Sequence, residues 1–320
     1  MIIDTPNKND FYTMADHMVN EAWEKVADLV YEFGEMNMMN GIYEGSDFFS
    51  EKNIINTDHY WLFARPKLIT AFNLVLQSIE FRLKGLIIEI SPYLLITNAT
   101  RPPKHDADGN ISFSQFHTLD AQDLIKVYNT FTYKALPDKF TTWFGELRTL
   151  RNRFMHTVDK KTDIMPDTVF KTVIQAHDFL NTESPHWIWH RYNYKVTHAS
   201  AGIIFEINDE DKEKFSGTVL AMLPTHYEFT SAIHACSKES VRLLFDYTKN
   251  DTNDKKTKES FYCKKCVSVM EKAFNFDSKH LDNTLETVQY NRSKRKYICA
   301  FCLDEQNIKP RGIWEECNEL

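Results

Sequence analysis

Two C-x-x-C pairs constrain this chain more than any other feature: Cys263 with Cys266 and Cys299 with Cys302, separated by 32 residues. Six cysteines scattered through such a length would give roughly 0.1 pair of this spacing by chance, so two together indicate a shared purpose. In each pair a tight turn brings two thiolates to one side of a metal ion. Two pairs close a tetrahedron, leaving no position for a reactive water. The expectation is one structural Zn2+ held by Cys263, Cys266, Cys299 and Cys302 in a ribbon, with no metal for catalysis. The alternatives are four reduced thiols without a metal, or disulfides, which an intracellular setting disfavours. The insert 270–296 is long enough for a lobe of its own, and His280 within it is a second candidate ligand. Cys236 and Cys317 have no close partner in sequence and read as a buried thiol and a tail residue.

Outside the ribbon the pattern is helical. Nine Gly and ten Pro against 23 Phe, 14 Tyr and six Trp argue for aromatic-filled helix contacts over disorder. Met14, Val19, Trp23, Val26, Val30 and Phe33 fall at helix spacing, and after a polar loop (37–58) so do Leu68, Phe72, Val75, Ile79, Leu83, Leu86 and Ile90. The Pro- and Asp-rich stretch 100–110 reads as a turn. Its DADG falls short of a calcium loop, because Lys104 and Gln115 stand where ligands are needed. Further helices are expected from Asp120 (as N-cap) to Phe131, from about Asp138 through RNRFMH, and over 167–180 after Pro166. From Trp187 to Pro224 the runs WIWHRYNYKV, GIIFEI and TVLAML read as short strands, followed by a helix from about His226 to Tyr247. The polar stretch 249–260 reads as a linker. The expected architecture is mainly α: a helical domain at 1–183, a small mixed α/β region at 184–250 and a zinc-ribbon domain at 251–320.

The net charge is −7, but residues 255–311 hold 13 Lys and Arg against seven Asp and Glu, a balance of +6 that leaves −13 for the rest. Such asymmetry suits either contact with phosphate or a solvated basic face around a metal site. The N-terminus lacks a basic and apolar leader pattern, and the most apolar stretch, 83–96, is broken by Lys84, Gly85, Glu89 and Pro92. The reading is a cytoplasmic chain with no membrane span. Neither a glycine-rich phosphate loop nor an HExxH helix is present.

The segment RNRFMH at 151–156 places Asn152 directly after Arg151 and His156 five positions on. With Asn required beside the arginine, chance would supply roughly 0.03 such motif in this composition. On these residues the chain resembles the HEPN family, helical domains of which many are ribonucleases with Arg-x4-6-His, often with Asn after the arginine. Glu80 and Lys84 reproduce the Glu-x3-Lys of an earlier HEPN helix and offer support to the site, and FHTLDAQDLIKVY at 116–128 fits the family's short His-x-Leu-x-x-Leu helix loosely. The resemblance covers about residues 60–180 in the right order and implies a HEPN-like bundle over about 11–180.

At 100° per residue, Asn152 and His156 share a helix face, whereas Arg151 and His156 lie roughly 140° apart. A joint pocket needs a bend near Phe154 or two such helices meeting across a dimer axis. The family's arrangement implies the homodimer. The residue types suit RNA cleavage without a metal: His156 as general acid or base, Arg151 as phosphate clamp, and Asn152 orienting His156 or the substrate. Attack of a 2′-hydroxyl would leave a 2′,3′-cyclic phosphate and a 5′-hydroxyl end. The resemblance extends to toxins and antiviral effectors that need restraint by an inhibitory partner or a trigger. The rival expectation is a non-catalytic HEPN-fold dimer binding nucleic acid through its ribbon, where Phe261, Tyr262, Tyr290, Tyr297 and Phe301 interleave with Lys264, Lys265, Arg292, Lys294, Arg295 and Lys296. The same aromatics equally suit the ribbon's own core.

Overall fold

The computed structural model describes residues 1–43, 57–97, 103–156, 164–181, 184–202, 217–249, 260–274, 287–291 and 294–307. It is mainly helical with a small sheet region. Nine α-helices occur among the described residues: α1 (Lys8–Tyr43), α2 (Thr57–Ile90), α3 (Ala121–Phe131), α4 (Asp138–His156), α5 (Pro166–Leu180), α6 (Trp187–Gly202), α7 (Gly217–Ala235), α8 (Lys238–Phe245) and α9 (Lys264–Phe274). Two units divide the chain. One comprises Met1–Val26, Thr57–Met165 and Phe179–Asn181, the other Ala27–Asn56, Pro166–Asp178 and Thr182–Leu320.

The first unit is organised by α2, whose stripe Leu68, Phe72, Val75, Leu76, Ile79, Leu83 and Ile87 is fully buried. That is the three-and-four spacing of one helix face. The helix begins ahead of the expected loop boundary at 58, and Pro66 is accommodated within it. On α1, Ala15, Val19, Ala22, Trp23 and Val26 are buried. Gly85 of α2 allows α1 to approach: a Cβ there would stand 2.6 Å from the Tyr12 ring. Arg82 caps that ring at 4.2 Å and pairs with Asp16 at 2.8 Å. Two short ladders tie down the connection ahead of α3: β1 (Ile2–Ile3) runs parallel to β3 (Ile111–Ser112), and β2 (Ile96–Thr97) pairs antiparallel with β4 (His117–Thr118). Between them Asp106 Oδ1 accepts from the backbone N–H groups of Asp108 and Asn110, an Asx turn completed by Gly109 at φ 79°. Asp120 stands at the N-cap of α3 without a side-chain capping bond. On α4 the buried residues are Phe140, Phe144 and Leu147.

In the second unit the strands expected over 187–224 are replaced by helices where the chain is described: WIWHRYNYKV belongs to α6 and TVLAML to α7. GIIFEI lies outside the described residues apart from Gly202, the last residue of α6. The apparent alternation of α6 misleads because its buried members, Trp187, Ile188, Arg191 and Tyr192, recur at helical intervals. A short apolar run such as TVLAML is equally a buried helix segment, which periodicity alone does not distinguish. Helices α6 and α7 pack along one another, joined by Arg191 and Glu228. Phe229 meets Phe245 and Tyr247 edge-on.

The largest sheet among the described residues is four-stranded and antiparallel, in the order β5 (Ser260–Phe261), β6 (Val288–Asn291), β7 (Lys296–Cys299) and β8 (Glu305–Gln306). Helix α9 enters directly after β5 and packs on α7. The expected linker (249–260), the greater part of the insert with His280, and Cys317 lie largely or wholly outside the described residues.

Candidate functional site

The four paired cysteines converge. Their sulfurs all lie within 4.8 Å of one another, with Cys263 Sγ and Cys302 Sγ 3.6 Å apart. Cys263 and Cys266 flank the first turn of α9, where the Val267 N–H bonds back to the Cys263 carbonyl. Cys299 ends β7, and the next turn is closed by Leu303 N–H to Cys299 O at 2.9 Å and by Cys299 N–H to Asp304 O at 3.0 Å. Leu303 takes the left-handed conformation at φ 60°, which lets that turn tighten around the sulfurs.

These donors fit a tetrahedral ion. Metal–sulfur bonds of about 2.3 Å give sulfur–sulfur edges of about 3.8 Å, close to the spacing here. Three of the four residues are buried, and Cys302 is half-buried. Hydrogen bonds from Cys266, Cys299 and Cys302 hold the Cys263 thiol far below its ordinary range, whereas hydrogen bonding to Cys263 pushes Cys266 far above it and burial does the same for Cys299. Further donors surround the sulfurs: Cys302 N–H meets Cys299 Sγ at 3.4 Å, Thr287 Oγ1 lies 3.1 Å from Cys299 Sγ, and Gln306 Nε2 approaches Cys263 Sγ at 3.8 Å. The four-cysteine group is therefore compatible with a structural metal.

The second candidate site lies in the first unit, where α4 runs without interruption to His156. Its C-terminal turns are pinned to α2: Phe154 meets Phe72 edge-on at 5.7 Å, and Asn73 Nδ2 donates to the Met155 sulfur at 3.4 Å. Arg151 Nη1 stands 3.9 Å from Glu80 Oε1, so these two residues, far apart in sequence, are brought together. Asn152 is exposed, and the His156 side chain lies outside the described residues. Lys84 Nζ donates to Thr118 Oγ1 at 3.0 Å. Desolvation raises the pKa of Glu80, opposed by the positive charges of Arg151, Lys84 and Arg148. Asp120 adds a second negative charge beside Glu80, so three cations face two carboxylates here. Within one chain, an unbroken helix keeps Arg151 and His156 on different faces.

Phe301, one of the aromatics suited either to stacking on nucleic acid or to a core around the cysteines, is fully buried and stacks on His226 of α7 with ring centroids 3.9 Å apart. That partner and one ion pair escaped the sequence. His226 precedes Cys263 by too many residues to enter any spacing rule. Arg191 and Glu228 form a buried ion pair with no local signature. No family model matches the chain, and neither a curated protein nor a solved structure matches it.

Proposed function

We propose that this protein is a metal-independent endoribonuclease of the HEPN type, acting as a cytoplasmic homodimer, with a zinc ion held structurally by its four paired cysteines. The observation that carries the reading is the approach of Arg151 to Glu80, with the positive charges of Lys84 and Arg148 and the negative charge of Asp120 also acting there, on the two helices where the resemblance requires Arg-Asn-x3-His and Glu-x3-Lys. Such a spot suits a phosphodiester, whose charge grows on its oxygens as a 2′-hydroxyl attacks. In that step the 2′-oxygen bonds to phosphorus, the P–O5′ bond breaks, and protons move from the 2′-hydroxyl and onto the departing 5′-oxygen. His156 is assigned one of these transfers. Arg151 clamps the phosphate, and Asn152 orients His156 or the substrate. The roughly 140° between Arg151 and His156 supports a pocket whose two halves come from different protomers. A toxin or antiviral effector, restrained by an inhibitory partner or released by a trigger, is the role that fits an RNA-cutting chain.

A second reading, a HEPN-fold dimer that only binds nucleic acid, is favoured by Tyr290 and Tyr297, which pair across β6 and β7 beside the exposed Lys294 and Arg295. Phe301 is removed from that surface by its burial. The test is incubation of the purified protein and its His156→Ala and Arg151→Ala variants with total tRNA and mixed single-stranded RNA, without added divalent ions. Cleavage by the parent alone, leaving 2′,3′-cyclic phosphate ends, supports the nuclease. Cleavage that survives both substitutions refutes it, and binding without cleavage that survives the His156 substitution selects the second reading.

A further inference from the structure

Resting on the reading of the four cysteines as a zinc site, we infer that His226 is a positioning residue of that metal centre, its ring N–H serving as a donor to the Cys263 thiolate when the ion is bound. The metal site then extends beyond the ribbon into the α6–α7 helix pair.

Three observations meet here. His226 is 1% exposed, and neither of its ring nitrogens has a hydrogen-bond partner among the described residues. A neutral imidazole always presents one N–H, and leaving such a donor buried without an acceptor is costly. The ring is held in place by stacking at 3.9 Å and 21° on Phe301, which lies between the ligands Cys299 and Cys302. Phe301 is itself enclosed by Tyr192 of α6 and Phe229 of α7. Third, α7 packs on α9, the helix that begins directly after Cys263 and carries Cys266.

A divalent ion with four thiolates carries two surplus negative charges, and buried thiolates of this kind are stabilised by N–H donors arrayed around them. Gln306 and the Cys302 amide supply donors from the ribbon side. His226 supplies one from α7. It is not a fifth ligand: the group able to surround an ion consists of the four cysteines. Its role is to orient Cys263 and to tie occupancy of the site to the packing of α7.

The test uses the full chain loaded with zinc. Retention of the ion against a chromogenic chelator is compared for the parent, His226→Phe, which keeps the aromatic stack and removes the donor, and His226→Gln, which keeps an N–H donor. Loss of a donor to a metal-bound thiolate predicts about tenfold or greater weakening in the Phe variant, with partial recovery in the Gln variant. Cobalt-loaded protein should show a shifted thiolate-to-metal charge-transfer band in the Phe variant alone. Independently of any substitution, chelation should accelerate amide hydrogen exchange around residue 226 of the parent. Parental affinity with an unchanged cobalt spectrum in His226→Phe, or exchange in α7 indifferent to chelation, would overturn the inference. A parent that binds no zinc would overturn the metal-site reading beneath it.

Discussion

Replacing Glu228 by alanine should be among the most destabilising single changes in the second unit. Its carboxylate accepts from Arg191 Nε and Nη2, each at 2.8 Å, and Lys195 Nζ lies 2.8 Å from the same Oε1. The side chains of Arg191, Glu228 and Lys195 are 1%, 9% and 21% exposed. Removing the carboxylate leaves a guanidinium that water does not reach, one helical turn from an ammonium of the same sign. Breaking a buried pair in this way costs about 3–5 kcal/mol. At roughly 2–4 °C per kcal/mol for a domain of this size, the melting temperature should fall by about 10 °C. Lys195→Ala keeps the bidentate pair and removes a partly solvated cation, so its cost should be about 1 kcal/mol. Arg191→Ala should fall between the two, because Lys195 remains to neutralise Glu228. The double replacement Arg191→Met with Glu228→Leu removes both desolvation penalties and should sit within about 1 kcal/mol of the parent or above it. Thermal and urea melting followed through the near-ultraviolet signal of Trp187, buried in the same unit, reads this series. A loss below about 1 kcal/mol for Glu228→Ala would show that solvent reaches the pair and would sink the reasoning.

Other outcomes follow from the same geometry. Burial, and then the neighbouring His177, lower the pKa of His186 to about 4. Because its unfolded value is about 6.5, the neutral ring's stabilisation is complete above that pH and should be lost progressively down to about pH 4, roughly 3 kcal/mol in all. His186→Asn, retaining an acceptor for the Trp189 N–H, should flatten that acid dependence in pH-resolved melting. Gly85→Ala should destabilise the first unit by about 1–3 kcal/mol, since its methyl group would displace the Tyr12 ring from its place beside Arg82; an unchanged melting temperature would show that the ring yields freely. Glu80→Gln should change stability by less than about 1 kcal/mol, because Arg151 is 39% exposed, while altering RNA cleavage through the freed guanidinium. Cleavage indifferent to this substitution would separate Glu80 from the site.

Most of the helical stripe of α2 was legible in the sequence because large apolar residues at three-and-four spacing over so many turns suit neither a strand nor a loop, although Leu86 is only half-buried and Ile90 is exposed. The cysteine cluster was legible because a closed metal site imposes short local spacing on its ligands. Of the α6–α7 pair only the later part of α7 was legible, within the helix expected from about His226 to Tyr247, which the structure divides into the end of α7 and α8. Its buried face mixes Trp187, Arg191, Thr225, His226 and Glu228 with apolar residues, so hydrophobic periodicity weakens where polar groups satisfy one another inside. Thr225, for example, spends its hydroxyl on the Ala221 carbonyl one turn earlier, at 2.7 Å. Such pairing across helices carries no signal until both partners are placed. Phe301 read as one aromatic among several near the ribbon for the same reason: its partner, His226, follows directly on a segment where strands were expected.

Closed coordination of a zinc ion would separate the proposed metal site from the proposed cleavage. Four thiolates complete the shell of a zinc ion, so the cysteine site offers no open position at which a water could be activated or a phosphate polarised. The proposed cleavage accordingly draws on Arg151, Asn152 and His156, whose proton transfers and charge stabilisation require no ion. If a zinc ion fills the site, its removal should impair the protein through the packing of Phe301 and His226 rather than through the chemical step. Cys302→Ser, which alters the half-buried ligand, should lower the melting temperature and raise hydrogen exchange in α7. If cleavage is present, the ends it leaves should remain 2′,3′-cyclic phosphates. A Cys302→Ser protein of parental stability that loses cleavage outright would place the metal in the reaction and refute this division of labour.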